Sequence, residues 1–304
     1  MVNKLILWAA ENKKLEKIVS GNRLTANTVQ RFVAGARLTD AINAAVDLNE
    51  QGISGILDLL GEGVTDLAGA ATATGQYQHA ITQIADRGID ASVSLKLSQL
   101  GLLVDKDACL ANLLQVLEYA ADLGVRVEVD MEQSEIVDAT LQVFTQVTDA
   151  HPDTRLAMQA CLHRTPADLE SMASAKPRVR LVKGAYAEPA QRALQSRSAV
   201  LEQYRMLTNW LFDKGVDPAF GTHDDECIDY AKQAAAAAGK DKGDFEFQML
   251  YGIRRDLQAS LKTAGFRIRV YIPFGREWFP YFMRRLGERP ANVGFVLKSL
   301  LGER

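Results

Sequence analysis

The sequence predicts an α/β protein, a (β/α)8 barrel preceded by an N-terminal helical arm. Three observations predict it. Eight short apolar, β-branched runs recur between residues 51 and 304, with helix-like stretches between them. That span is close to the roughly 250 residues such a barrel occupies. No Gly-x-Gly-x-x-Gly turn opens any of the helices, which sets aside the competing doubly wound dinucleotide-binding sheet. No low-complexity linker divides residues 51–304, so they read as one barrel domain, with residues 1–50 as the arm.

Taken in order, the regions Lys13 to Ser20, Asn22 to Ala34 and Leu38 to Asn49 carry apolar residues three and four apart, the spacing of helices. Gly52 to Gly61 is a short apolar run punctuated by glycine and is the first strand. The next are Ala91–Leu97, Val125–Met131, Thr154–Gln159, Arg178–Gly184, Pro218–His223, Phe245–Leu250 and Arg267–Ile272. Helix-like stretches between them include Leu110–Leu123, Arg192–Lys214, Asp225–Ala238 and Gly252–Ala264. The last strand is expected to stop at Pro273 and Gly275, and a further helix to open near Pro280 and break before Pro290.

Composition narrows the function. A net charge of −3 leaves no electrostatic footprint for nucleic acid. No apolar run approaches the roughly 20 residues of a membrane span, and the start of the chain has no long apolar core or small-residue cleavage site of a signal peptide. Cys109, Cys161 and Cys227 are odd in number and widely spaced, which argues for reduced thiols in the cytoplasm. The four histidines form no metal-spaced pair, so no metal site is expected.

In a (β/α)8 barrel the active site gathers at the C-terminal ends of the strands. Those ends are polar here: Lys96, Asp130, Gln159, Lys183 with Gly184, Thr222 with His223, Tyr251 and Tyr271. Each alone has an ordinary explanation, such as a helix cap for Asp130 or a snorkelling stem for Lys96. Their convergence on one rim does not. On the closing helix Tyr281, Arg284, Arg285 and Glu288 share one face, and Phe282, Met283 and Leu286 the other, inward one. Paired arginines suit a carboxylate or phosphate, although the same helix also reads as a solvated amphipathic surface element.

The chain resembles the proline dehydrogenase family, and within it the short monofunctional bacterial enzymes. The resemblance runs from about residue 50 to the end. It is carried by Ser94-Leu-Lys-Leu-Ser-Gln-Leu-Gly101, Glu128-Val-Asp-Met-Glu132, Arg180-Leu-Val-Lys-Gly-Ala-Tyr186, Gly221-Thr-His-Asp224 and Tyr271-Ile-Pro-Phe-Gly275. The most specific piece is Tyr281-Phe-Met-Arg-Arg-Leu-Gly-Glu-Arg-Pro-Ala-Asn292. Cys161 stands where the family more often has tyrosine.

The resemblance implies a distorted TIM-type barrel that holds FAD and oxidises L-proline to Δ1-pyrroline-5-carboxylate, with hydride passing from proline C5 to flavin N5. Lys96, Arg284 and Arg285 are implied as the clamp for the proline carboxylate. Asp130 is the implied acidic partner of Lys96. Tyr271, Tyr186 and Leu250 line the pocket, and Tyr281 disfavours a ring hydroxyl. Arg180 is placed near flavin N5. Gln159 is matched to the isoalloxazine edge, and Met131, Val182, Lys183, Gly184 and Ala185 to the flavin lining. Thr222 and His223 belong to the ribityl, diphosphate or adenine portion, and Glu288 orders Arg284 or touches the flavin. A quinone acceptor, peripheral contact at the inner face of the cytoplasmic membrane and a downstream pyrroline-5-carboxylate dehydrogenase are implied partners.

Two other classes fit the bare pattern. A Schiff-base aldolase would use Lys183 or Lys96 as nucleophile and the arginines for a phosphate. A non-enzymatic amino-acid-binding barrel would bind proline without flavin or turnover.

Overall fold

All eight expected strands form. A computed structural model describes residues 29–61 and 63–287, with side chains through Met283. Its strands are β1 (Ser54–Leu59), β2 (Ala91–Lys96), β3 (Val127–Asp130), β4 (Arg155–Gln159), β5 (Arg178–Val182), β6 (Ala219–Gly221), β7 (Glu246–Leu250) and β8 (Arg267–Phe274). They pair in parallel in sequence order, and β8 returns to β1 to close the barrel. Helix α1 (Leu38–Glu50) precedes β1. Between successive strands lie α2 (Leu67–Asp86), α3 (Lys106–Asp122), α4 (Val137–Thr145), α5 (Thr165–Ser171), α6 (Arg197–Lys214), α7 (Asp225–Ala237) and α8 (Arg255–Thr263), and α9 (Trp278–Gly287) follows β8.

Period-two alternation divides the barrel's side chains into two populations. Leu57, Val93, Leu95, Val127, Val129, Leu156, Met158, Val179, Leu181, Phe247 and Val270 face outward and join the helices in one continuous apolar core. Their inward-facing neighbours are mostly polar or charged, with Ile56, Ala157 and Val182 among the apolar exceptions, and two polar tiers result. Nearer the N-terminal ends, Arg155 Nη1 reaches Glu128 at 3.1 Å and Glu246 at 2.5 Å, while Arg269 Nε meets Glu246 at 3.2 Å and Gln248 bonds both glutamates. Nearer the C-terminal ends stand Asp58, Ser94, Lys96, Asp130, Arg180 and Tyr271. Arg180 Nε and Glu128 Oε2, 3.6 Å apart, connect the tiers. The outer layer therefore supplies the hydrophobic stabilisation, and the axis carries charge.

Helix α1 packs against β1 and β8 through Ala41, Ile42, Ala44, Ala45 and Leu48, covering the seam where the barrel closes. The expected helix at Lys13 to Ser20 and most of that at Asn22 to Ala34 lie outside the described residues. Val29 to Gly35 runs beneath α9. Ala34 N donates to Pro273 O at 2.9 Å, Phe32 packs on Phe279 and Phe282, and Val33 packs with Leu60 and Tyr281.

Several boundaries differ from the sequence reading; helix α3, for one, opens at Lys106 rather than residue 110, because the Asp105 carboxylate accepts the Asp107 and Ala108 N–H groups. Strand β8 continues through Pro273 to Phe274. The Pro273 and Phe274 carbonyls still accept bonds, and the chain turns at Gly275, whose φ of +131° suits glycine. Helix α6 opens at Arg197 rather than residue 192, because Ser196 Oγ caps Ala199 N and Leu194 is tied to the Cys161 carbonyl. Helix α8 opens at Arg255 rather than residue 252, because Gly252 and Arg254 are left-handed.

Candidate active site

The C-terminal tier is built around one carboxylate. Asp130, the last residue of β3, takes a hydrogen bond from Ser94 Oγ at 2.7 Å and from Tyr271 OH at 2.6 Å, and pairs with Lys96 Nζ at 3.2 Å. Arg180 Nη2 also donates to it, and the guanidinium lies 5.4 Å from the centre of the Tyr271 ring. Strand pairing dictates this convergence: Lys96 stands opposite Asp130 in the β2–β3 register, while β5 and β8 aim Arg180 and Tyr271 across the barrel. Burial alone would raise the Asp130 carboxyl, but Arg180 and Lys96 more than offset it and hold the group down at about 2. It is a fixed anion.

Lys96 has a second carboxylate partner, Asp58 of β1, at 2.9 Å. Burial opposes the lysine's charge, yet Asp58, Tyr271 and Asp130 hold its pKa well above the ordinary value. Asp58, only 1% exposed, is itself pushed upward by burial. A Schiff-base nucleophile needs a neutral amine, and this lysine is locked as an ammonium. Lys183 turns elsewhere: its Nζ lies 2.8 Å from Asp224 Oδ2, the residue that caps α7. The aldolase reading loses both of its lysines.

A second group stands at the ends of β4 and β5. Gln159 is 2% exposed; its Nε2 donates to the Glu132 carbonyl at 2.8 Å and its Oε1 has no partner. Gly184 lies beside it with φ of +109°, and a Cβ there would come within 2.2 Å of Cys161 Sγ and 3.2 Å of Gln159 Oε1. Only glycine fits. A buried acceptor in want of a donor, next to bare backbone, suits a flat heterocycle with an N–H edge. Val182 borders this group, Met131 is buried, Tyr186 half-buried and Ala185 exposed. Thr222 is buried, with Oγ1 accepting Asp224 N–H at 3.1 Å. His223 Nε2 accepts the Leu250 N–H at 2.8 Å, so the ring is neutral there and fixes the end of β7.

Tyr281 is buried against Val33 and Leu60, as Phe282 is against Phe32, so the covered arc of α9 is wider than its expected inward face. The side chains of Arg284 and Arg285, and all of Glu288, lie outside the described residues. Sequence reasoning missed Asp58, Ser94 and Glu132. A lone carboxylate inside the apolar run Ile56-Leu-Asp-Leu-Leu60 was the signal for the first; the other two gave none.

Among the described residues, no group of three or more His, Cys, Asp or Glu could hold a metal ion, and no helix is long and apolar enough to cross a membrane. All three cysteines are unpaired and buried.

Comparison with known proteins then decides the family. The family model described as proline dehydrogenase matches residues 41–298. The chain belongs to the proline dehydrogenase family. It is 37% identical over 303 residues to proline dehydrogenase 1 of Bacillus subtilis (strain 168), covering 99% of each chain. It is likewise 37% identical over 306 residues to proline dehydrogenase of Deinococcus radiodurans, covering 99% of this chain and 98% of that one. Its fold is similar to that of proline utilization A from Bdellovibrio bacteriovorus, with a TM-score of 0.82 at 20% identity over 93% of this chain and 38% of the longer one. Proline dehydrogenases are oxidoreductases that open proline catabolism, and the barrel is the scaffold on which this chain carries that site.

Proposed function

We propose that the chain oxidises L-proline to Δ1-pyrroline-5-carboxylate with FAD as cofactor and a quinone-type molecule as electron acceptor. The observation that carries the reading is the Asp130 cluster at the C-terminal mouth of a proline dehydrogenase barrel. When bound, the flavin supplies the two-electron acceptor. The chain supplies position and charge.

Asp130 accepts from four side chains and its carboxyl is held at about 2, so it is a poor proton acceptor near neutral pH. It aligns Lys96, Arg180 and Tyr271 and sets the charge of the pocket. Within the C-terminal tier the Lys96 and Arg180 cations are balanced by Asp58 and Asp130. A substrate carboxylate therefore needs further cations, and Arg284 and Arg285 at the end of α9 are the residues for it. Tyr271, Tyr186, Leu250 and Tyr281 wall the proline ring. Gln159, Gly184, Arg180, Met131, Val182, Lys183 and Ala185 hold the isoalloxazine. Thr222 and His223 serve the rest of the cofactor, and Glu288 orders Arg284. Residues 51–304 form the catalytic barrel, with residues 1–50 as an arm. A quinone acceptor places the protein against the inner face of the cytoplasmic membrane, and the product passes to a pyrroline-5-carboxylate dehydrogenase.

The visible spectrum of the purified protein tests this. A flavin spectrum that bleaches on anaerobic addition of L-proline is expected. A protein that stays colourless and inactive after reconstitution with FAD refutes it. Arg284→Met and Arg285→Met should each raise the KM for proline by removing a cation from the carboxylate clamp, and Lys96→Met should raise it by also leaving Asp58 and Asp130 without their shared cation.

A further inference from the structure

Glu132 lies two residues beyond Asp130 and stands outside the ion cluster. It is 3% exposed, and no cationic side chain among the described residues pairs with it. Its carboxylate instead accepts the Ser98 N–H at 3.1 Å and the Ser98 hydroxyl at 2.5 Å. Ser98 follows Lys96 by two residues, so this contact ties the turn after β2 to the segment after β3. The backbone carbonyl of the same glutamate receives Gln159 Nε2 at 2.8 Å. That bond decides which end of the Gln159 amide faces which way. Reversing the amide would set two carbonyl oxygens against each other and strand an N–H₂ group. With Nε2 engaged, Oε1 remains the buried, partnerless acceptor beside Gly184.

We propose that Glu132 is a positioning residue for the cofactor: its carboxylate, clamped by Ser98, fixes the carbonyl that orients Gln159, and so presents Gln159 Oε1 to an N–H on the edge of the flavin. The inference rests on the flavin reading above. The Ser98 clamp is the distinctive part. A buried carboxylate held by two donors from one residue is rigid, and a carbonyl on the same residue inherits that rigidity. It also joins the two halves of the site, since Lys96 and Gln159 are both located through it.

The test is a double-mutant cycle read as flavin affinity, followed by the fluorescence of FAD released when the full-length holoenzyme is diluted. Glu132→Ala and Gln159→Ala should each weaken FAD binding by about fivefold to tenfold, the loss of one oriented hydrogen bond. The double variant should be no weaker than the worse single one, because the glutamate acts through the glutamine. Glu132→Gln retains an acceptor for the Ser98 N–H and should return affinity to within about twofold of wild type. Ser98→Ala runs the same cycle if Glu132→Ala does not fold. Additive losses, or wild-type affinity in both Glu132→Ala and Ser98→Ala, overturn the proposal. A wild-type protein that binds no FAD overturns the flavin reading itself, which separates the two failures.

Discussion

Replacing Asp130 by asparagine tests the centre of the site. The substitution keeps size and one acceptor oxygen but removes the charge that Lys96 and Arg180 share. Its cost can be worked in two ways. The carboxyl is held at about 2 against an ordinary 3.8, and that depression corresponds to about 2 kcal/mol of stability at neutral pH. Removing one partner of a buried pair costs about 3–5 kcal/mol; here Asp58 still accompanies Lys96 and Glu128 lies near Arg180, which favours the lower part of that range. We expect Asp130→Asn to lose about 2–4 kcal/mol at pH 7, measured by urea unfolding of the purified protein. The sign with pH follows from the depressed carboxyl. Its contribution is complete above the unfolded value near 4 and is lost as pH falls through 4 toward 2. The gap between wild type and variant should therefore be flat from pH 8 to pH 5 and shrink only in acid. A loss below about 0.5 kcal/mol, or a gap that changes between pH 5 and 8, would refute the picture of a fixed anion held by two cations.

Further substitutions probe the rest of the mouth. Gly184→Ala places a methyl within 2.2 Å of Cys161 Sγ on left-handed backbone; purified protein should carry less than half the wild-type flavin by absorbance, and adding Cys161→Ala should recover only part of it. Tyr281→Ser empties a buried position packed on Val33 and Leu60 and should lower stability by about 3 kcal/mol. It should also raise the hydroxyproline-to-proline ratio of kcat/KM, and an unchanged ratio removes the tyrosine from specificity. Arg269→Met, in the lower tier, leaves Glu246 short of a buried partner and should cost about 3 kcal/mol or more in urea unfolding. Its kcat should change less than that of Asp130→Asn.

The rhythm of strands was legible because each outward-facing side packs on helices and must be apolar every second residue, as in Val127 and Val129 of β3. The ends of β2, β3 and β4 were legible because Lys96, Asp130 and Gln159 are polar where each run ends. What one sequence hides is which inward residues meet. Asp58 pairs with Lys96 across β1 and β2, and Arg180 crosses the barrel from β5 to Asp130 on β3; both depend on closure and register, which have no periodicity along the chain. Glu132 and Ser98 were inside the motifs that carry the family resemblance, yet their contact joins two turns and leaves no trace in spacing. Helix starts were misplaced for a local reason. The cap at Ser196 and the left-handed Arg254 interrupt stretches whose composition alone is helical. The burial of Tyr281 was not legible because the residues covering it, among them Val29, Val33 and Leu60, are remote in sequence.

The two-tier axis explains how the barrel reconciles stability with such a site. Buried ion pairs contribute little net stability compared with apolar packing of equal volume, so an interior of Arg155, Glu246, Arg269 and Glu128 is a poor way to fill a barrel for strength alone. Stability is met in the outer layer, where Val93, Leu95, Val129, Leu156, Leu181 and Phe247 are all fully buried against helices. The axis is then available for charge. A single Arg180 hanging from the wall could adopt several orientations; one that meets Glu128 beneath it, Asp130 beside it and the Tyr271 ring across from it has few. The lower tier is in this sense the foundation of the upper one. It holds Glu128 and Arg155 rigid by mutual pairing, and so fixes the geometry of a cation that must be in place before cofactor and substrate arrive.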